Sequence, residues 1–519
     1  MNALDAIEIE IVRHLFSSIA EEMGAALMRS AFSPNIKERR DYSCAIFDAQ
    51  ARMIAQAAHI PVHLGSTPMS VRAALDAFPD LAPGQHVLLN DPYAGGTHLP
   101  DLTLVTPVHD ASGAPAFYVA NRAHHADVGG ISPGSLPLST SIDDEGIRVP
   151  PTLWSPELEA RIMAASRTPD ERRGDLLAQL AANHRGAARL RDALSRRGES
   201  LLAASASLID YAERVIRAVL ADAPDGTWSF EDTLDGDGHD AADVRVHCVL
   251  TIAGDDLTVD LTGCADQVTG PVNVPRAVSV SAALYALRCL APQGAPSNHG
   301  MMRPLTVLTR PGSIADAVYP AAVAAGNVET SQRLTDCILG ALAQALPDRI
   351  PAASCGSMNN VLIGGADHRP GREGEPFAYY ETIAGGAGAA RGAHGASGAH
   401  THMTNTLNTP AEALERAYPF RLARYALRDG SGGAGRWRGG DGVVRAYAFD
   451  APATVTLMTE RRATAPWGLS GGAPGAPGRN LLVRDGAESV LPAKCTVEVT
   501  AGDLVVIETP GGGGWGAQE

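Results

Sequence analysis

Between residues 42 and 151 short apolar runs, Val87-Leu88-Leu89, Leu102-Thr103-Leu104-Val105 and Phe117-Tyr118-Val119-Ala120, alternate with turns rich in glycine and proline. Runs this short, cut this often, read as strands of a sheet. Helical periodicity flanks that block. Over about residues 5–32, Ile7, Ile11, Leu15, Ile19, Met23 and Leu27 recur every four positions, with Val12 and Phe16 beside them. This is an amphipathic helix with a capping box at Asp5 and Glu8, closed by Pro34. Residues 168–220 turn charged and rich in Ala and Leu, which predicts two or more helices broken near Gly198, with Thr168 as N-cap and Pro169 at N1. Strands return over 228–262 with a hairpin at 253–256, followed by helices over about 278–290 and 330–346.

The last third is dense in glycine, at 383–388, 438–442 and 511–514, and carries strands over 497–508. No GxxxxGK[ST] is present, nor a GxGxxG between strand and helix with an acid beyond. The glycines therefore read as tight turns and close strand packing, not as a phosphate cradle. A chain of 519 residues exceeds one core. The expectation is a mixed α+β, multidomain fold. It comprises a strand-rich mixed region at 1–165, a helical segment at 166–225, a second mixed region at 226–400 and a β-rich region at 401–519.

A formal net charge of -16 leaves no basic face for nucleic acid, and the cluster Lys37-Glu38-Arg39-Arg40 is interrupted by acid. Seven cysteines form no CxxC pair, and Cys248 and Cys289 sit in apolar runs, as reduced, buried thiols of a cytoplasmic protein do. The acidic N-terminus is no signal peptide, and no apolar run reaches the roughly 20 residues of a membrane span. The expected setting is soluble and cytoplasmic.

The chemistry concentrates in Asn90-Asp91-Pro92-Tyr93-Ala94-Gly95-Gly96-Thr97-His98-Leu99-Pro100-Asp101 and in Ala123-His124-His125-Ala126-Asp127-Val128-Gly129-Gly130. Imidazoles and a carboxylate suit divalent Mn, Fe or Zn. His98 and Asp101 lie three apart across a proline, so one turn aims both at an ion. His124 and His125 end a strand and point to opposite faces, so one of them joins the site. Asp127 is a further ligand or an acceptor that orients an imidazole. His59 and His63 have helical metal-pair spacing, but Pro61 argues against a helix interior. The competing reading of all these groups is polar turn residues and core histidines.

The segments NDPYAGGTHLPDLTLVTPV, AHHADVGGISPGSLP, GNVETSQRLTD, YYETIAGGAGA, HTHMTNTLNTPAEALE and TPGGGGWG, in that order, resemble the hydantoinase B/oxoprolinase family over essentially the whole chain. That family includes B subunits of N-methylhydantoinases, the C-terminal half of 5-oxoprolinase, and subunits of caprolactamase and of ketone carboxylases. The resemblance implies a partner, a hydantoinase A-type subunit that uses ATP to phosphorylate the oxygen of a cyclic amide (a hydantoin, 5-oxoproline or a lactam). The present chain then opens the ring within a hetero-oligomer. The resemblance also implies a divalent metal on His98, Asp101 and His124, and it selects His124 over His125. Water attacks the activated carbon, phosphate leaves and the ring opens, with Asp127, Glu381 or His63 taking the proton. Asn327, Glu329, Thr330 and Arg333, with His59, are candidates for the substrate pocket. The alternative for the first three of these and Arg333 is a helix start with caps and a surface arginine. Two other functions compete: a subunit of an ATP-dependent ketone carboxylase, and a non-catalytic scaffold for the A subunit.

Overall fold

The computed structural model describes residues 6–57 and 60–518. Helix α1 (Ala6–Ser30) ends before the short α2 (Pro34–Lys37). Strands β1 (Tyr42–Asp48) and β2 (Met53–Gln56) follow, then α3 (His63–Ala77), β3 (Val87–Leu89), β4 (Asp101–His109), β5 (Pro115–His124) and β6 (Thr152–Leu153). They form one sheet in the order β2-β1-β5-β4-β3-β6, with every pair antiparallel. Helices α4 (Pro156–Ala165), α5 (Pro169–Arg197) and α6 (Glu199–Ala221) come next.

The buried stripe of α1 is Val12, Phe16, Ile19, Met23 and Leu27, packed on Cys44, Ile46, Phe117 and Val119 of the sheet and on α5 and α6. Ile7 and Ile11 are 68% and 46% exposed. The cause is geometric. Four residues turn a helix through about 400°, so a strict every-four row drifts some 40° per step off the buried face. Asp5 lies outside the described residues, and the capping box with it. Pro169 opens α5 as expected, but the Thr168 hydroxyl makes no cap bond. The break between α5 and α6 falls on Gly198, whose φ of 56° favours glycine.

Two helices lie within or beside stretches read as strands. Helix α3 holds Pro68 in its interior, and its Gly65 lets it press on a later helix: a Cβ there would meet Ser281 N at 2.8 Å. Helix α4 does carry start signals, with Ser155 as N-cap and Pro156 at N1. Ser155 Oγ accepts the Leu158 N–H at 3.2 Å. Replacing Ser155 by alanine is expected to cost about 1 kcal/mol in urea unfolding, with the spectrum of the native state unchanged.

Strands β7 (Gly226–Leu234), β8 (Val244–Ala253) and β9 (Asp256–Asp260), helix α7 (Arg276–Leu290), β10 (Leu305–Leu308) and helix α8 (Ser331–Ala345) build the second layer. Its sheet runs β10-β9-β8-β7, with β9 and β10 parallel. The largest apolar core joins α3, α7, α8, this sheet and the inner face of the first.

The remaining elements are β11 (Asn360–Ala366), β12 (Pro376–Glu381), α9 (Ala411–Ala417), β13 (Phe420–Leu427), β14 (Val443–Phe449), β15 (Ala453–Met458), β16 (Arg479–Arg484), β17 (Ala487–Leu491), β18 (Lys494–Val499) and β19 (Leu504–Glu508). They form two sheets, β12-β11-β15-β18 and β13-β14-β19-β16-β17, which share one apolar core. The first of these pairs β11 with β15 and so crosses the boundary drawn near residue 400. The fold is thus mixed α/β and multidomain.

The glycine runs of this half are not tight turns. Gly386, Gly388, Gly440 and Gly512 have no left-handed φ. They belong to segments outside the sheets that bond backbone to backbone: Gly512 N donates to Gly440 O and Gly440 N to Ala387 O, both at 2.9 Å. Gly513 N donates to Ala353 O at 2.8 Å and Gly514 N to Ala473 O at 2.9 Å. There is no room for side chains between them. A Cβ would stand 2.0 Å from Ala387 O at Gly512 and 1.9 Å from Gly512 O at Gly439.

No helix among the described residues is long and apolar enough to cross a membrane. None of the seven cysteines is in a disulfide; Cys248 is buried as expected, whereas Cys289 is exposed. Arg39, read as part of a surface cluster, is fully buried.

Candidate metal and substrate site

Strand pairing assembles the centre. Asp101, first residue of β4, stands opposite His124, last residue of β5. The turn before β4 bends through Gly95, at φ 85°, and Gly96, whose Cβ would meet Asp91 O at 2.6 Å. That turn brings His98 back over Asp101. His98 Nε2 and His124 Nδ1 each lie 3.2 Å from Asp101 Oδ1. One ligand atom from each of the three falls within 4.8 Å of the others, and all three residues are buried.

Each group is oriented from behind. His98 Nδ1 meets Ala324 O at 3.1 Å, which turns Nε2 inward. Thr97 Oγ1 donates to Asp101 Oδ2 at 2.5 Å. The His124 ring stacks on Tyr380, with centroids 4.5 Å apart. Tyr380 is held in turn: its hydroxyl donates to Asn360 Oδ1 at 2.9 Å, and the Arg39 guanidinium lies over its ring. His124 Nε2 is buried without a partner, a vacant donor position in the interior.

Electrostatics favour a ligand-competent set. Burial would raise the Asp101 carboxyl, but the three imidazoles His98, His124 and His63 outweigh it and hold Asp101 well below the usual range. Burial pushes His124 and His63 down, so both stay neutral. Burial opposes charge on His98 as well, yet Asp101 prevails and His98 sits above the ordinary histidine value.

A small cavity of ≈ 270 Å³ opens beside the cluster, lined in part by Asp41, His63, Asp101, His124, Asn327 and Tyr380. His63, in the first turn of α3, reaches Asp101 Oδ2 at 3.3 Å through Nε2 and Ser43 Oγ at 2.8 Å through Nδ1. Asn327 Nδ2 lies 3.1 Å from His98 Nε2. Asn327 belongs to a π-helical turn, Gly326–Thr330, that feeds α8. Such turns recur where a side chain must be placed for function. Gly326 permits it, since a Cβ there would meet Asn273 O at 1.9 Å.

Other sequence candidates fall elsewhere. His125 faces away, with Nε2 2.9 Å from Gln179 Oε1 on α5. Asp127 is tied to Arg167, Gly129 N and Ser135 Oγ and lines no part of the cavity. Glu381 alternates to the opposite face of β12 from Tyr380. There Arg445, Tyr447 and the Thr409 N–H supply four donors to its two oxygens, leaving no site for a substrate proton. Arg333 is neither at the surface nor at the cavity: it is buried against Asp232 and Glu460 at 2.9 and 3.0 Å. The Thr330 hydroxyl is spent on Val272 O, and Glu329 braces Asn360 and Met358 N behind the wall. Burial, with Glu460 nearby, pushes the Glu329 carboxyl up to about 8. His59 lies outside the described residues. Two cavity residues escaped sequence reasoning, Asp41 and Tyr380. Asp41 follows the mixed-charge run 37–40, which looked like solvated surface.

Comparison with known proteins agrees with this geometry. A profile of the hydantoinase B/oxoprolinase family matches residues 5–518. The chain is 39% identical to an uncharacterised protein of Methanocaldococcus jannaschii, over 99% of this chain and 91% of that one. It is 38% identical to 5-oxoprolinase 1 of Arabidopsis thaliana, again over 99% of this chain but only 42% of the plant protein. The crystal structure of ATP-dependent caprolactamase from Pseudomonas jessenii superimposes with a TM-score of 0.92 at 28% identity, covering 99% of this chain and 92% of that one. With the match spanning nearly every residue, this chain belongs to the hydantoinase B/oxoprolinase family.

Proposed function

We propose that this chain is the ring-opening component of an ATP-dependent cyclic amide hydrolase and acts on a substrate activated by an ATPase partner. The observation that carries the reading is the buried His98–Asp101–His124 cluster, with a vacant His124 nitrogen, beside a small cavity. Two imidazoles and a carboxylate fit Mn, Zn or Fe(II) equally. A divalent ion held there would polarise the substrate oxygen and lower the pKa of water toward about 7.

The chain's own residues supply the rest. Asn327 offers an amide to the ring substituents. His63, neutral through burial, stands ready to take a proton from water, with Ser43 fixing its far nitrogen. Asp41, raised by burial, is the second acid of the cavity. The bond that must break is the ring C–N. Loss of phosphate alone would regenerate the amide, whereas departure of the protonated nitrogen leaves an acyl phosphate that a second water hydrolyses. More than half of the plant 5-oxoprolinase has no counterpart in this chain. That supports a separate A-type ATPase chain and a hetero-oligomeric assembly.

The test is metal analysis of the purified chain, followed by ring opening of hydantoins, 5-oxoproline and lactams with the A-type chain and ATP. One ion per chain and partner-dependent ring opening are expected. A metal-free chain that merely stabilises its partner would overturn the reading.

Metal uptake should also depend on pH. The raised His98 favours the protonated, metal-free fold, and the stability it contributes is lost as pH rises through its folded value. Metal requires the neutral imidazole. The gap in Tm between zinc-loaded and metal-free protein is therefore expected to widen between about pH 6 and pH 8, read from paired thermal melts.

A further inference from the structure

The cavity has an uneven chemistry. One wall is apolar: Ile60, Val62, Val328, Met358 and Met403. The polar side carries two carboxylates, Asp41 and Asp101, and among the described lining residues there is no lysine or arginine. The nearest buried cations are spent behind the walls. Arg39 donates to Asn35 Oδ1, Tyr380 O and Thr382 Oγ1. Arg122 donates to Thr103, Ser66 and Ser70 hydroxyls.

A divalent ion at His98, Asp101 and His124 would have its charge matched by Asp41 and Asp101. A carboxylate on a substrate ring would then be taken from water to face two acids and an apolar wall with no side-chain cation to receive it. A buried charge without a partner is strongly disfavoured. A neutral ring loses nothing there and gains contact with the methionines, whose flexible thioethers fit varied shapes.

We propose that this cavity selects a neutral ring amide, a lactam or an alkyl-substituted hydantoin, and rejects a ring that carries a carboxylate, 5-oxoproline included. The proposal rests on the ring-amide reading above and names its substrate class. It runs against the name of the plant relative, which spans more than this chain.

Two probes isolate the point. 2-Pyrrolidinone and 5-oxoproline share one five-membered ring and differ by a single carboxylate. Their binding to the full, zinc-loaded chain is measured by ligand-observed NMR titration. Pyrrolidinone is expected to bind at least about ten-fold more tightly, which is about 1.4 kcal/mol. Met403→Lys, or Thr404→Lys should the first not fold, places an ammonium at the cavity and is expected to shrink or invert that ratio. Equal or tighter binding of 5-oxoproline to the unaltered chain overturns the proposal. So does failure of pyrrolidinone to bind a chain whose metal content is one ion. A chain that holds no zinc fails the functional reading instead, and the two failures are separated by metal analysis of the same sample.

Discussion

Replacing His98 by alanine is expected to abolish both metal retention and ring opening while the ATPase partner continues to turn over ATP. His98 Nε2 and His124 Nδ1 converge on one oxygen of Asp101, so the cluster has no spare nitrogen of the right reach. His63 approaches the other oxygen and is engaged by Ser43. Loss of one of three ligands leaves two, and elemental analysis is expected to read less than about a tenth of an ion per chain after dialysis. His125→Ala is the matched control. It removes an adjacent imidazole that faces Gln179 on α5, so metal content is expected to stay at the unaltered level. Retention of stoichiometric metal by His98→Ala would remove His98 from the ligand set.

The second large effect lies far from the chemistry. Gly512→Ala is expected to destabilise the protein by about 3 kcal/mol or more, with soluble expression falling accordingly. The new Cβ would stand 2.0 Å from Ala387 O and 2.3 Å from its carbonyl carbon, so two backbones must separate. No side chain is available to swing aside. Gly365→Ala in β11 is the comparison: its Cβ would meet its nearest atoms at 3.4 Å, an ordinary contact, and unfolding in urea should shift by less than about 1 kcal/mol. Equal stability of Gly512→Ala and Gly365→Ala would show that the bundle yields more easily than its spacing suggests.

How much of this was legible in the sequence depended on the range of the determining contacts. The α1 stripe, the Gly198 break, the hairpin at 253–256 and the opposite faces of His124 and His125 follow from local periodicity, and they appear as read. Helix α3 did not. Its Pro61, Gly65 and Pro68 read as breakers, but packing against α7 overrides local propensity, and Gly65 is the point of contact.

The candidate site divides in the same way. His98 and Asp101 are brought together by one turn, which spacing foretells. Tyr380 and Asp41 come from other strands, and nothing local marks them. Glu381 and Arg333 were drawn in because they sit in the same recognisable segments as true cavity neighbours. One step along β12 separates Tyr380, in the cavity, from Glu381, clamped by Arg445 on the far side. A motif locates a segment, whereas alternation decides which of its members face the cavity.

The glycine bundle also orders events in time. Its segments lie at about residues 352–355, 385–396, 431–442, 467–475 and 511–515, and Gly512 bonds to Gly440 while Gly513 bonds to Ala353. The latest segment is therefore threaded among the others rather than laid over them. A nascent chain cannot close this part of the molecule until residue 514 has left the ribosome, by which time residue 353 has waited for some 160 further additions. The metal-bearing first sheet, complete by residue 153, has no such wait. Synthesis thus delivers the catalytic ligands early and their enclosing wall late, leaving an interval in which an ion can reach His98 and His124 from open solvent before Tyr380 is seated.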